Sequence, residues 1–299
     1  MSNLLQVAPD VAAALDAGAP VVALETTIVA HGFPPGVGAS VGLECEERVR
    51  AAGAVPATVG VLGGRVRLGL TEAELEQFDA SAAKASARDL AVCAVKGLVG
   101  ATTVGGTLAA CRAAGVRFVA TGGLGGVHRT FPAIPDVSGD LAELARTEAL
   151  VVSAGVKSLL DVPATVEALE TLGVPLLGFR TDDLPLFYVP HGGPPVGARV
   201  DSPAEAAEIA RAHWELGRSS ALVLARPPDR GLDDVEPLIE RALAAAKAER
   251  VSGKAVTPFV LDYLHRESGG RTLEVNRELA AANAGLAGEV SVVYAALQS

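Results

Sequence analysis

Apolar residues along the chain fall into short runs separated by stretches with helical spacing. "PVVALE" at 20–25 reads as a buried strand, and "GASVGLECEERVRAAG" at 38–53 as an amphipathic helix with its charge on one face. "ATVGVLGGRVRLG" at 57–69 alternates on both sides of Gly63 and Gly64, which predicts a hairpin. In "TEAELEQF" (71–78), Thr71 and Glu74 stand at capping-box spacing. Further buried strands are predicted at "VRFVATGG" (116–123), "ALVVSAG" (149–155), "PLLGFR" (175–180) and "SALVLAR" (220–226), with helical spacing between most of them. "PAEAAEIARAHWELG" (203–217) starts on Pro and stops on Gly, as helices do, and the chain from Thr257 onward is mostly helical in pattern. This alternation predicts an α/β fold: a three-layer α/β/α subunit around a largely parallel central sheet. The Pro- and Gly-rich stretch 189–203 has the same kinds of element on both sides. It reads as a long loop inside one domain spanning 1–299, which opens on a short helical lead-in.

Composition supports that architecture and narrows the partners. Of the 299 residues, 49% are hydrophobic and only 4% aromatic, which suits helices on a parallel sheet better than an aromatic-rich barrel. The formal net charge is −10 with no basic run, so a polymeric nucleic acid, which needs many phosphates neutralised, is not an expected partner. A small anionic substrate remains compatible, because a local pocket can be basic in an acidic protein. The 3 cysteines, Cys45, Cys93 and Cys111, have no CxxC spacing and read as small apolar residues in a reducing compartment. The start carries no basic segment followed by a sustained apolar one, and no apolar run reaches about 18 residues. A soluble, cytoplasmic protein is expected.

Several stretches carry candidate chemistry. "GATTVGGT" (100–107) and "ATGGLGGVHR" (120–129) follow apolar segments, and backbone N–H groups in such glycine-rich turns can cradle an anion. Neither is a P-loop or a dinucleotide fingerprint. Thr102, Thr103 and Thr107 in the first loop favour an anion site, against the ordinary alternative of a structural turn. Asp136, Ser138 and Asp140 alternate, which in an extended loop puts three oxygens on one side for a hard divalent cation. The competing reading is that Ser138 or Asp140 caps the helix that follows. Glu25 closes a buried strand at the end where open α/β sheets bind ligands, although with Thr26 and Thr27 it could simply order a turn. His128 and Lys84 have no local signal of their own. Lys157 lies between Val156 and Leu159, after a core strand and ahead of a helix start marked by Asp161 and Pro163. A cation there opposes the helix dipole, so it either snorkels to solvent or is held for its amine.

Taken together, the stretches "VALETTIVAHGFP", "GAVPATVGVLGG", "KASARDL", "GATTV", "ATGGLGGVHR", "DVSGDL", "SAGVKSLLD", "TLGVPLLGF" and "NAGLAG" resemble, in order, the pseudouridine-5′-phosphate glycosidase family, also described as indigoidine-synthase-A-like. The resemblance runs from about Pro20 to about Gly285. It implies reversible conversion of pseudouridine 5′-phosphate to uracil and ribose 5-phosphate, a divalent metal (usually Mn²⁺), and a homotrimer of α/β/α subunits. By the same resemblance Lys157 matches the nucleophilic lysine and Glu25 the proton donor. Asp136 matches the metal-binding aspartate, and Ser138, Gly139 and Asp140 a substrate-binding segment. Lys84 and the "TTV" around Val104 match further substrate contacts, and Thr103, Thr121, His128 and Asn283 lie in matching pocket segments. The chain departs from the family locally, at "RTFPAIP" after His128 and in the 189–203 loop, positions that bear on pocket access.

The bond concerned joins ribose C1′ to C5 of uracil, so protonating a leaving oxygen, as ordinary glycosidases do, does not release the base. The route the resemblance implies opens the ribose and captures C1′ as an imine on a lysine, while a proton is delivered to uracil C5. It requires a neutral lysine and a carboxyl group that keeps its proton, and burial is expected to favour both. Two alternatives use the same residues differently. A class I aldolase acting on a sugar phosphate would also form a lysine imine, and a non-catalytic sugar-phosphate-binding regulator would keep the pocket alone.

Overall fold

The computed structural model describes residues 4–129, 135–232, 234–251 and 253–298. Residues 130–134, the centre of the divergent "RTFPAIP" segment, lie outside the described residues. Among those described, an 11-stranded sheet runs in the order Leu5–Val7, Arg65–Leu68, Val55–Leu62, Val21–Glu25, Phe118–Ala120, Leu150–Ser153, Leu222–Ala225, Leu176–Phe179 and Ala198–Val200. Gly100–Thr102 pairs antiparallel with Val55–Leu62 and carries Ala83–Ala85 parallel on its far side. The Arg65–Leu68 strand is also antiparallel to Val55–Leu62, and the remaining neighbours are parallel. The expected α/β fold with a mostly parallel sheet is what forms.

The central strands show why. Every residue of Val21–Glu25 and of Leu150–Ser153 is buried. Consecutive side chains point to opposite faces, so both faces of the sheet are covered. Burying a Val or Leu side chain in this way stabilises by roughly 1.5–3 kcal/mol relative to exposure. The helices Val104–Ala114 and Arg271–Gln298 both pack against Val21–Glu25. Arg271–Gln298 is 28 residues long and apolar enough in composition to match a membrane span. Here it is a core helix, packed against Gly38–Ala51, Pro203–Glu215 and three central strands, with Val275, Leu279, Ala284 and Val290 buried.

Local signals mostly act as their residues predict. Gly63 and Gly64 take φ values of 58° and 75° in the hairpin that pairs Leu62 with Arg65. Thr71 and Glu74 form the reciprocal capping box. Pro203 opens its helix, and Gly217 follows the end at φ 74°. Several predicted strands are shorter at their ends, and two segments differ more. The strand predicted over 116–123 is confined to Phe118–Ala120, because Thr121 to Gly123 leave the sheet to build a pocket wall. Within the predicted 189–203 loop, Ala198–Val200 adds an edge strand beside Leu177 to Phe179. Two of its three residues are exposed, so no apolar run announces it.

Candidate active site

Three neighbouring parallel strands end at one place. Glu25 is the last residue of Val21–Glu25, Thr121 follows Phe118–Ala120, and the Lys157 turn follows Leu150–Ser153. The register aligns Leu24 with Ala120 and Ala120 with Val152, so the segments leaving those strands meet. The carboxyl ends of adjacent parallel strands are where a sheet of this kind can hold a ligand without disturbing its own hydrogen bonds.

Glu25 is only 5% exposed. Its Oε1 accepts a hydrogen bond from the Thr121 hydroxyl, while Oε2 is buried with no partner among the described residues. Burial pushes its pKa above the ordinary 4.5, against the opposing charge of Lys157 and the Thr121 hydrogen bond; Asp140 adds to the rise and Lys84 opposes it. Behind this pair, Asn283 on the long C-terminal helix donates to the Thr121 carbonyl at 2.9 Å. Asn283 is fully buried with its Oδ1 unpartnered.

The backbone of Lys157 is fixed from both sides. Its N–H donates to Leu124 O at 3.1 Å, and the Leu160 N–H donates to its carbonyl at 3.0 Å. Gly155, at φ 81°, is required there: a Cβ would stand 2.0 Å from Pro185 O. The preceding segment of the long loop packs beneath the turn, with Phe187 N–H on Ala154 O at 3.0 Å and the Ser158 hydroxyl on Leu186 O at 2.6 Å. Asp161 then caps the helix Val162–Thr171 through the Ala164 N–H at 3.0 Å, as its sequence pattern predicts. The side chain does not snorkel into open solvent. It is half-buried and lines two cavities.

Lys84 and Lys157 stand where these cavities meet. The inner one holds Glu25 and His31, with Ile28, Phe187, Pro258 and Leu261 as apolar wall. It has only about 30 Å³ of free space, room for a water or so. A ring entering it must displace a wall, and the Val256–Glu267 helix supplies Thr257, Pro258 and Leu261 on one side. The outer cavity is far larger, about 640 Å³, and is lined by Thr103, Gly125, His128, Asp136, Ser138, Gly139 and Asp140 together with Arg88, and with Arg112 and Arg146 paired to Glu143. Lys84 reaches this junction from the short Ala83–Ala85 strand, paired opposite Ala101. An apolar slot with a buried carboxyl group on one side and a basin carrying several cations on the other, with an amine between them, suits a molecule that is anionic at one end and carries a flat ring at the other.

The hydroxyls and glycines read as an anion cradle are largely used internally. Thr26 and Thr102 both donate to Val59 O, at 2.8 and 2.6 Å, and Thr107 donates to Thr102 at 3.0 Å. Thr103 is the N-cap of Val104–Ala114, accepting from the Gly106 N–H at 3.3 Å. Val104 is 1% exposed and lines neither cavity. The two glycine loops are tied to each other by an internal anion. Asp140 Oδ1 accepts from Gly105 N–H at 2.7 Å, and Oδ2 from Gly125 N–H at 3.0 Å. Sequence spacing could not reveal this, because the donors lie 35 and 15 residues away.

The same bonds change the expected alternation at 136–140. Ser138 is the N-cap of Gly139–Leu144 and Asp140 is committed to backbone donors, so the three oxygens do not converge on one side. Asp136 is the open carboxylate of the set, with its Oδ2 3.9 Å from His128 Nδ1. Burial pulls the His128 pKa down, opposed by Asp136 and reinforced by Lys84 and Lys157. Among the described residues no group of three or more His, Cys, Asp or Glu could cage a metal. The donor set fits a hard cation held by one carboxylate and otherwise by water and substrate oxygens, and does not fit an all-protein cage.

His31, Asn276 and Phe187 were not singled out as site residues by sequence pattern. His31 sits inside the first motif, six residues after Glu25, a signal that could have drawn attention to it. Phe187 and Asn276 reach the pocket from a loop and a helix remote in sequence, with no local mark.

Comparison with known proteins gives the same picture. The family described as "Indigoidine synthase A like protein" matches residues 10–293. The chain is 46% identical to the pseudouridine-5′-phosphate glycosidase of Herpetosiphon aurantiacus over 98% of both chains. It is 45% identical to the protein of that name from Deinococcus radiodurans, over 99% of this chain and 97% of that one. Among solved structures, the prealnumycin C-glycosynthase AlnA, in complex with ribulose 5-phosphate, superposes with a TM-score of 0.89 at 39% identity, over 100% of this chain and 99% of AlnA. An indigoidine synthase A-like protein from Thermotoga maritima superposes with a TM-score of 0.86 at 36% identity, over 97% of this chain and 96% of that one. With a family match over almost its entire length, the chain belongs to the indigoidine synthase A-like family.

Proposed function

We propose that the protein is a pseudouridine-5′-phosphate glycosidase, cleaving the C1′–C5 bond reversibly to uracil and ribose 5-phosphate. The observation that carries this reading is the place of Lys157, on the boundary between the inner cavity that holds Glu25 and the basic outer basin. Ribose C1′ at that boundary puts the base beside Glu25 and the phosphate among Lys84 and the arginines. Lys157 is the amine that takes C1′ of the opened ribose as an imine, and Glu25 supplies the proton that uracil C5 needs to leave. Burial favours the protonated form of Glu25, which is the form this role requires. An amine attacks only when neutral, and the imine route needs that form of Lys157.

Asp136 is the residue that would hold a divalent cation, Mn²⁺ by family resemblance. Such an ion would supply positive charge for substrate oxygens. Asp140 orders the two glycine loops around the basin, and Ser138, Gly139, Thr103 and His128 form its rim. The buried cysteines suit a cytoplasmic protein, and the family resemblance suggests a homotrimer.

Uracil release from pseudouridine 5′-phosphate, with and without chelator, in wild type and Lys157→Ala, tests the reading directly. Borohydride reduction in the presence of ribose 5-phosphate should fix the sugar on Lys157. An adduct on another residue would overturn the assignment, and imine formation with cleavage of an aldol substrate in place of the nucleotide would favour the aldolase.

A further inference from the structure

Among the described residues, His31 is the one group on the inner cavity, besides Glu25, that has a buried polar atom with no partner. It closes the short helix Thr27–His31, and its Nε2 is buried without a hydrogen bond to any described residue. Leaving such an atom unpaired is costly, and a site that tolerates this is one where a ligand completes the bond.

The chemistry of that atom is defined by its surroundings. The Ala82 backbone carbonyl lies against the ring, while burial and the nearby charge of Lys84 both pull the imidazole pKa below its ordinary value. A neutral ring therefore faces the cavity. With its single proton assigned to the nitrogen toward Ala82, Nε2 keeps its lone pair and can only accept. Lys84 and Lys157 at the mouth are donors, and Glu25 in the form favoured by burial offers a proton. Among the described residues, His31 Nε2 is thus a buried nitrogen acceptor on this pocket with no hydrogen-bond donor yet assigned to it.

A uracil joined to ribose through carbon keeps both of its ring N–H groups. One joined through nitrogen keeps only one, with a C–H in the place of the other. We propose that His31 is a specificity-determining residue whose Nε2 accepts a ring N–H of the base held in the inner cavity. The proposal rests on the glycosidase reading and adds to it the recognition of the leaving base. The narrowness of the cavity works in the same direction, since a base seated there touches every wall and an unmatched donor has no water to turn to.

The test runs the reaction in the direction of synthesis, where the KM for uracil and the KM for ribose 5-phosphate separate the two ends of the site. His31→Leu should raise the KM for uracil by about tenfold to a hundredfold, the loss expected for one buried hydrogen bond. The KM for ribose 5-phosphate and the yield of its borohydride adduct should stay as in wild type, which also shows that the variant is folded. His31→Gln, which returns an acceptor near the same place, should recover most of the affinity for uracil. A KM for uracil within about twofold of wild type in His31→Leu overturns the proposal. So does loss of the ribose adduct in both variants, which would make His31 a packing residue. A wild-type enzyme that cannot join uracil to ribose 5-phosphate would overturn the glycosidase reading itself, whereas normal wild-type turnover with an unchanged His31 variant removes only the inference about His31.

Discussion

The Thr121 hydroxyl donates to Oε1 of Glu25 and leaves Oε2 of the same carboxyl group buried and unpartnered. One fixed oxygen and one waiting oxygen describe an acid held in position for a ligand. Ionising it there leaves a buried charge offset by the Lys157 amine, the Thr121 hydroxyl and, more weakly, Lys84.

Glu25→Gln is therefore expected to separate activity from stability. Turnover should fall by about 10²- to 10⁴-fold, the usual contribution of a general acid. The variant should also melt higher than wild type at neutral pH. Because the folded pKa of Glu25 is raised above 4.5, the folded state binds more protons than the unfolded state above that pH. Wild-type stability then falls as pH rises toward the folded pKa. Thermal melts from about pH 5 to about pH 8 should show an advantage for Glu25→Gln that grows with pH. Parallel curves for the two proteins would count against it.

Asp140→Asn tests the internal anion. An amide offers one oxygen to two N–H donors and turns its own NH₂ toward the second, either Gly105 or Gly125. The cost should be about 1–3 kcal/mol, lowering the melting temperature by roughly 2–10 °C. An unchanged melting temperature would show that the Asp140 bonds do not hold the loops together.

Gly155→Ala probes the Lys157 turn. A methyl group 2.0 Å from Pro185 O, on a backbone at φ 81°, forces the turn to move and should cost about 2 kcal/mol or more. The borohydride adduct with ribose 5-phosphate should drop with it. A stable variant that still traps the sugar fully would show that Lys157 does not depend on this geometry.

Asp136→Ala should weaken Mn²⁺ binding by at least about tenfold, because the other described carboxylates of the basin, Asp140 and Glu143, are engaged by backbone N–H groups and by arginines. Electron paramagnetic resonance of the free ion measures this without reference to turnover. Equal affinity in the variant would move the cation elsewhere.

Much of the fold was legible because it rests on local physics. Alternating buried runs and helical spacing specify strands and helices, and Gly63-Gly64, Thr71 with Glu74, and Asp161 with Pro163 mark their own turns and caps. Glu25 was readable as a strand-end carboxylate and Lys157 as a misplaced cation, since each conflicts with the pattern around it. The roles of Thr102, Thr107 and Asp140 were not readable. A hydroxyl or carboxylate looks the same in sequence whether its partner is a ligand or a backbone group far along the chain.

The amino-acid sequence by itself thus determined the class of fold, the strand ends on which a site could stand, and the family resemblance that names a chemistry. Only the tertiary structure decided which oxygens and amides remained for a ligand. It spent Asp140 on Gly105 and Gly125, left Asp136 open, set Asn283 behind Thr121, and brought His31 beside Glu25. Hydrogen bonding is a matter of position in space, and these partners come from strands, loops and helices that meet only when the sheet has formed.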